Sequence, residues 1–554
     1  MSDGQPVAVW LTPYWWLSLA AFLAAAGAWA LACARGGGAV RALAAAAGRV
    51  FWHPAAKYFL AAAATVATAY TSATALYWRH QISDESAYLL QARTYAAGML
   101  SLPVETRPWP FKAWNLPNRN FLTSPLEAVV RGRKVVIYSP VYSAALALPL
   151  RFGSPWLLNA VATGAVVLLG AAAAARAWGP RAGAAAAWFF AASPAVLLKG
   201  VTYFPESVSL ALLCLLALLF FAFRERGGVA RGAALGAVAG VLVAIREYAG
   251  LAVVVPFAVA WLAAAVKRRR WGDLALIPAA ALLFAPVLAY NWRISGAPLF
   301  FPRWAGPISY FGIHNFGDNP SIPLIFNWTR VALLNNDALG WPYFSLLPVV
   351  LLFAVVKRKT VADYLFLAVG SLTVLAFVPV DNPGVDYGTR YLLPAAAALV
   401  FLAARVADRC REALAARGPA SWRPLAFLGG VLPLLILLGV GNACGGLWRE
   451  LRGPLMATVT EKLLWETPAL RETLRRLDIH DAVVFIGPFP HGLGAMPNSP
   501  RLDDDVVFAR DQGDARNYEF MALFPGRRFF RCDYDELERT RTLAELTPSA
   551  ATGR

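Results

Sequence analysis

The chain has 554 residues, 58% of them hydrophobic and only 15% charged, whereas an average soluble domain carries about a quarter charged residues. That composition excludes an ordinary soluble globule and describes a polytopic membrane protein. The net charge of +18 would suit a nucleic-acid partner, but the basic residues fall in short clusters between apolar runs, which is the positive-inside pattern instead.

Runs of about 17 to 25 apolar residues are long enough to cross a bilayer. Twelve are expected, at 14–34, 57–78, 155–175, 182–199, 206–223, 232–245 (the short one), 249–266, 273–291, 341–356, 361–380, 391–407 and 425–443. Met1 to Pro13 has Asp3 and no basic residue, so the first run reads as a retained anchor rather than a signal peptide. Alternate connections hold Arg35, Arg41, Arg49 and Lys57; Arg176 and Arg181; Arg224, Arg226 and Arg231; Lys267 to Arg270; Lys357 to Lys359; and Arg405, Arg409, Arg411, Arg417 and Arg423. That side is expected to be cytoplasmic, with both termini outside, in a plasma-membrane protein.

The first long outer connection, Arg79 to Ser154, begins with Ser83-Asp84-Glu85-Ser86-Ala87-Tyr88. From Asp84 onward a period of 3.6 puts Tyr88, Leu89, Ala92, Tyr95 and Leu100 on one face, as in a helix lying on a bilayer surface. Two acids in a first turn suit the helix dipole, so capping and catalysis both fit them. The same connection holds Arg131-Gly132-Arg133-Lys134, then Tyr138-Ser139-Pro140-Val141-Tyr142 and an apolar run to Leu150. That run is too short to span and reads as an interfacial helix. A second outer connection, Asn291 to Trp341, is polar and aromatic, with Arg303, His314, Asp318, Arg330 and Asp337. After the last span, Leu447 to Arg554 has soluble composition. Helical periodicity over Glu461 to Leu477 and apolar runs at 482–486, 506–508 and 528–530 suggest a small α/β domain outside the membrane.

The five cysteines, Cys33, Cys214, Cys410, Cys444 and Cys532, lack CxxC spacing, so no disulfide framework or zinc site is indicated. Asp503-Asp504-Asp505 lacks EF-hand spacing and fits a solvated turn. Charges beside spans are costly, and on the outer side these are Asp84, Glu85, Lys134, Lys199, Glu206, Arg246, Glu247, Arg293, Asp386 and Arg390. An acid, a second acid and several cations at one membrane face are what transfer from a phosphate-linked lipid needs: a base for the acceptor hydroxyl and cations for the departing phosphate. Each has a simpler alternative. Glu206 follows Pro205 at a helix start, Arg246-Glu247 could be a turn ion pair, and Lys134 could sit in a solvated turn.

The ordered motifs are Asp84-Glu85-Ser86-Ala87-Tyr88, Tyr138-Ser139-Pro140-Val141-Tyr142, Ala192-Ser193-Pro194 with Glu206 twelve residues on, and Arg246. They continue with Tyr290-Asn291, Gly296-Ala297-Pro298 and Tyr387-Gly388-Thr389-Arg390-Tyr391. Together they resemble the GT-C fold glycosyltransferases, integral-membrane enzymes that use polyprenyl-phosphate sugars. The nearest branch includes aminoarabinose lipid A transferases, protein O-mannosyltransferases and rhizobial lipopolysaccharide-core sugar transferases. The resemblance covers about residues 57 to 443. It implies Asp84 as catalytic base with Glu85 beside it, and Lys134, Arg246 and Arg390 on the donor phosphate. It also implies Glu206 as a second acid, joined in some members by a divalent metal that Asp84 and Glu206 would hold, and a substrate loop at Tyr88, Tyr138, Asn291 and Tyr391. Many relatives have aspartate where Glu206 stands and Lys-Pro-Pro where this chain has Ile137-Tyr138-Ser139-Pro140.

The expected architecture is therefore an all-α, GT-C-like membrane protein with about twelve transmembrane helices, interfacial helices in the first outer loop and a C-terminal α/β domain. Residues 1–56 form an extra helix and basic loop, 57–446 the catalytic domain and 447–554 the outer domain. The expected activity is inverting transfer of a sugar from a polyprenyl-phosphate donor in the bilayer to a glycan, lipid or protein acceptor, with no nucleic-acid partner. Two rivals are a lipid-linked-sugar flippase, against which the nearly charge-free spans argue, and a non-catalytic scaffold.

Overall fold

The computed structural model describes residues 13–74, 83–103, 122, 126–268, 274–302, 321–380, 389–418, 422–452, 468–487, 498–534 and 541–547. Asp386, Tyr387, Gly388, Arg303, His314, Asp318 and most of the Trp109 to Pro125 stretch lie outside them. Among the described residues, six helices are long and apolar enough to cross a membrane: Trp16–Arg35, Leu157–Trp178, Glu206–Arg226, Glu247–Lys267, Leu276–Ser295 and Trp422–Gly445. Pro180–Ala192 and Pro194–Gly200, bent by 56° at Ser193, make a seventh if the pair is one span. The other expected runs are also helical but shorter or more polar, as in Val229–Ile245, Val361–Ala376 and Ala56–Thr74. Leu347–Val355 has only nine helical residues, and Leu393–Ala415 runs on through charged Arg405, Asp408, Arg409 and Arg411. Arg405, expected in a connection, is thus on a helix. It is 1% exposed and ion-paired at 3.4 Å with Asp363, which also closes a capping box with Thr360.

The chain forms two compact units. One comprises Met1–Ser72, Leu157–Ala285 and Tyr310–Leu451, and the other Ala73–Trp156, Pro286–Ser309 and Arg452–Arg554. The first is a helical assembly around an alanine-rich core, in which Phe366 stacks on Phe401 at 4.1 Å and Phe190 meets Phe401 edge-on at 5.2 Å. Small residues let the backbones meet. A Cβ on Gly236 would lie 2.1 Å from the Leu276 carbonyl oxygen, and one on Gly240 2.3 Å from that of Ala280. This is a small-xxx-small contact of the kind that joins helices in lipid.

In the second unit the acidic helix runs Ser83–Ala96. Asp84 through Ala92 are all buried, so the helix does not lie half-exposed as its periodicity predicted, and it packs against the Pro140–Arg151 helix. That helix starts with Pro140 at its first position, where a missing N–H costs nothing, and has the interfacial length expected. Three short strands accompany them: β1 Leu102–Pro103, β2 Glu127–Val130 and β3 Arg133–Val136, in the order β1-β3-β2. Arg131 and Gly132, with φ of 48° and 66°, make the two-residue hairpin between β2 and β3.

A four-stranded sheet completes the unit, with β4 Ala482–Ile486, β5 Val506–Arg510, β6 Arg528–Tyr534 and β7 Arg541–Leu546 in the order β5-β4-β6-β7. β4 runs parallel to both β5 and β6, while β7 is antiparallel to β6. Being covered on both sides, β4 is apolar throughout and buried at every position. The described part of the preceding helix is Pro468–Arg476. Leu102 and Leu122 from the first loop join the core of this sheet, so the C-terminal region is not packed on its own residues alone.

Candidate active site

In the helical unit the chain bends at Ser193-Pro194. Ser193 Oγ donates to the Ala338 carbonyl at 2.6 Å, and the short helix after it ends at Gly200. The next residues are held from the side by Asn159, 2% exposed, whose amide donates to the carbonyls of Thr202 at 2.6 Å and Phe204 at 2.7 Å. Pro205 then starts the helix whose first residue is Glu206. Its carboxylate is 2% exposed, and Oε1 accepts from both Arg246 and, at 3.0 Å, Arg390. Oε2 is buried and has no hydrogen-bond partner among the described residues. Arg246 closes the Val229–Ile245 helix in extended conformation, and Arg390 lies 4.0 Å over the Phe204 ring.

Tyr391 is the platform of this cluster. It stacks on Phe377 at 5.0 Å, and the guanidinium carbons of Arg246, Arg330 and Arg390 all lie 5.6 to 5.9 Å from its centroid. Arg330 is 3% exposed and is anchored by Asn327 Oδ1 at 2.7 Å and by the carbonyls of Phe377 and Val380. Glu206, Arg246, Arg390 and Tyr391 line one end of a cleft whose remaining wall is largely apolar, with Leu210, Leu213, Leu242 and Val253; it encloses about 370 Å³, its solvent-open part included. Capping does not account for Glu206: an acid bonded to two guanidiniums is the centre of a buried charge cluster, and Arg246 pairs with it across forty residues of sequence.

In the other unit, Asp84 and Glu85 occupy the first turn of their helix, 9% and 1% exposed. Tyr88 stacks on Tyr138 at 4.6 Å and meets Tyr142 edge-on at 5.2 Å, and the Gln91 amide donates to the Tyr138 carbonyl at 3.4 Å. These contacts tie the two motifs of the first outer loop together. Lys134 is no solvated residue: it is 3% exposed, inside β3, and ion-paired with Glu127, its diagonal neighbour on β2. Burial pulls the Lys134 ammonium below its ordinary pKa, against the opposing pull of Glu127. Asn291 is 1% exposed and donates to the Pro298 carbonyl at 3.2 Å, holding the turn after its helix.

Asp503, Asp504 and Asp505 serve the turn before β5. Asp503 and Asp504 bond Ser499, and Asp505 accepts from the Asp481 N–H at 2.8 Å and contacts His480 Nδ1 at 2.7 Å. No group of three or more metal-ligating side chains occurs among the described residues. The two guanidiniums on Glu206 make a positive environment that does not fit a divalent cation, so no step is assigned to a metal.

Asn159 and Glu127 were missed in the sequence, and Arg330 was read only as one polar residue of the second outer connection. Asn159 had a readable signal, an amide inside an apolar run. Glu127 and Arg330 had none beyond their charge, because each is defined by a partner that only the fold supplies.

No protein-family model and no curated protein sequence matches the chain. Similar solved structures include ArnT from Cupriavidus metallidurans in the apo state, 15% identical with a TM-score of 0.46, covering 90% of this chain and 99% of that one. Another is the archaeal oligosaccharyltransferase AglB from Archaeoglobus fulgidus in complex with an inhibitory peptide and a dolichol-phosphate, 12% identical with a TM-score of 0.43, covering 86% and 70%.

Proposed function

We propose that the chain is a multi-pass plasma-membrane glycosyltransferase that moves a sugar, with inversion, from a polyprenyl-phosphate donor to a glycolipid, polysaccharide or protein acceptor of the cell envelope, on the outer face. The observation that carries this reading is the cleft at Glu206, with two guanidiniums at one end and a wall of leucine and valine along the rest. A prenyl chain suits the wall and a phosphate suits the guanidiniums, which form charge-assisted, often bidentate bonds to such oxygens. Glu206 holds both arginines in place before the donor arrives.

Asp84 takes the proton of the acceptor hydroxyl. The oxygen then attacks the anomeric carbon, the bond from that carbon to the phosphate oxygen breaks, and the electron pair leaves with the polyprenyl phosphate. Arg246 and Arg390 stabilise the charge that develops there. Glu85 is a neighbour of the base, and Tyr88 and Tyr138 shape the loop that carries it. Lys134 is satisfied by Glu127 and is assigned to loop architecture rather than to the phosphate.

Binding of a short-chain polyprenyl phosphate to the purified full-length protein tests the cation assignment. Loss of one charged hydrogen bond is worth about 1.5–3 kcal/mol, so Arg390→Gln should weaken binding roughly 10- to 100-fold. Unchanged affinity in a folded Arg390→Gln protein would remove the phosphate from this cleft.

A further inference from the structure

A second cluster lies in the helical unit at the ends of two candidate spans, where Arg35 closes the first helix and Trp422 opens the last. The guanidinium carbons of Arg41 and Arg423 lie 4.5 Å and 5.7 Å from the Trp422 ring centroid. Their positions are fixed by packing. Trp29 Nε1 donates to the Ala426 carbonyl at 3.1 Å, and Gly430 lets the Trp29 indole approach so closely that a Cβ there would lie 2.0 Å from Nε1. Gly36, in the left-handed region at φ 74°, turns the chain beside Trp422 into the Gly38–Phe51 helix, which contains no acidic residue.

That helix divides its surface three ways. Ala44 and Phe51 are buried; Leu43 and Val50, each 60% exposed, share a second face; Arg41 and Arg49 lie on the side away from Leu43. An apolar face and a basic face on one short helix at span ends suit the boundary between acyl chains and headgroups. Two like charges over one ring repel each other, and among the described residues neither Arg41 nor Arg423 forms an ion pair. An anion at the Trp422 ring relieves that repulsion, and the exposed apolar face of the same short helix, Leu43 and Val50, sets the cluster at the level of the acyl chains, which favours an anion attached to a lipid.

We propose that Arg41, Arg423 and Trp422 form a binding site for the phosphate headgroup of an anionic phospholipid, separate from the Glu206 cleft. Basic pockets at span ends bind such headgroups at roughly 1 kcal/mol per cation, about fivefold each. Native mass spectrometry of the full-length protein, titrated with phosphatidylglycerol and with phosphatidylcholine, reads the preference directly. The wild type is expected to favour phosphatidylglycerol by about 20-fold, and each of Arg41→Gln and Arg423→Gln to lose about fivefold of that. Arg358→Gln, which removes a cation elsewhere, should keep the preference. Equal binding of the two lipids by wild type would overturn the proposal, as would an undiminished preference in the two single variants. Displacement of the lipid by millimolar inorganic phosphate would overturn the lipid assignment in favour of a free-phosphate site.

Discussion

Asn159 shows how a single amide can govern a charge cluster it does not touch. Its two hydrogen bonds to the carbonyls of Thr202 and Phe204 set the path of the segment that delivers Glu206. Asn159→Leu keeps the volume but removes both hydrogen bonds to these buried carbonyls, at a cost of about 0.5–1.5 kcal/mol each. Its thermal midpoint should fall and sugar transfer should fall further, because Glu206 loses its register; a variant that is destabilised yet fully active would refute this positioning role. At this scale the sequence marked Glu206, Arg246 and Arg390 as charges beside spans, and the fold brings these three together. Lys134 was expected on the donor phosphate, with a solvated turn as the simpler alternative, and the structure instead buries it beside Glu127. The hairpin turned the side chain inward toward Glu127, and nothing local to Lys134 announces that partner.

Among the elements, the helix pair joined by Gly236 and Gly240 is the most demanding. The atoms a side chain would strike there are backbone carbonyls, which cannot rotate away. Gly240→Ala should therefore force the helices apart and lower the thermal midpoint by several degrees, in line with the 1–3 kcal/mol typical of overpacking. Gly370→Ala is the control, since a Cβ there would meet Ala398 at an ordinary 3.7 Å; equal melting of the two variants would contradict the close-contact account. The Gly236-Ala237-Val238-Ala239-Gly240 spacing could have been read from the sequence as a contact face, though not its partner. The apolar runs were legible as helices because length and hydropathy fix them locally. Helix length was less so: Leu393–Ala415 continues past the point where charges should end a span, because Asp363 neutralises Arg405 from another helix.

At the scale of the whole molecule, the two units gather residues far apart in the chain, and only the fold reveals that Leu102 and Leu122 share a core with the C-terminal sheet. The three apolar runs of that region did announce β4, β5 and β6; its dependence on the first loop was invisible, since two leucines in a polar stretch carry no address. The same region gives a pH test. His480 contacts Asp505 at 2.7 Å and Asp478 at 3.4 Å, and the hydrogen bond and charge of Asp505 raise the imidazole pKa. A raised histidine contributes stability that is complete below its ordinary value of about 6.5 and is lost as pH rises through the raised value. Thermal midpoints of wild type and His480→Ala should therefore differ at mildly acidic pH and converge under alkaline conditions. A gap that widens with rising pH would contradict the pairing.

The central claim is that Asp84 is the base in transfer from a polyprenyl-phosphate sugar. Its most direct test is transfer of a labelled sugar from a synthetic polyprenyl-phosphate donor to a cell-envelope extract, comparing wild type with an Asp84→Asn protein that inserts and melts normally. The account predicts transfer by wild type and a loss of at least about 100-fold in the variant, the scale of general base catalysis. Full activity of Asp84→Asn would contradict it.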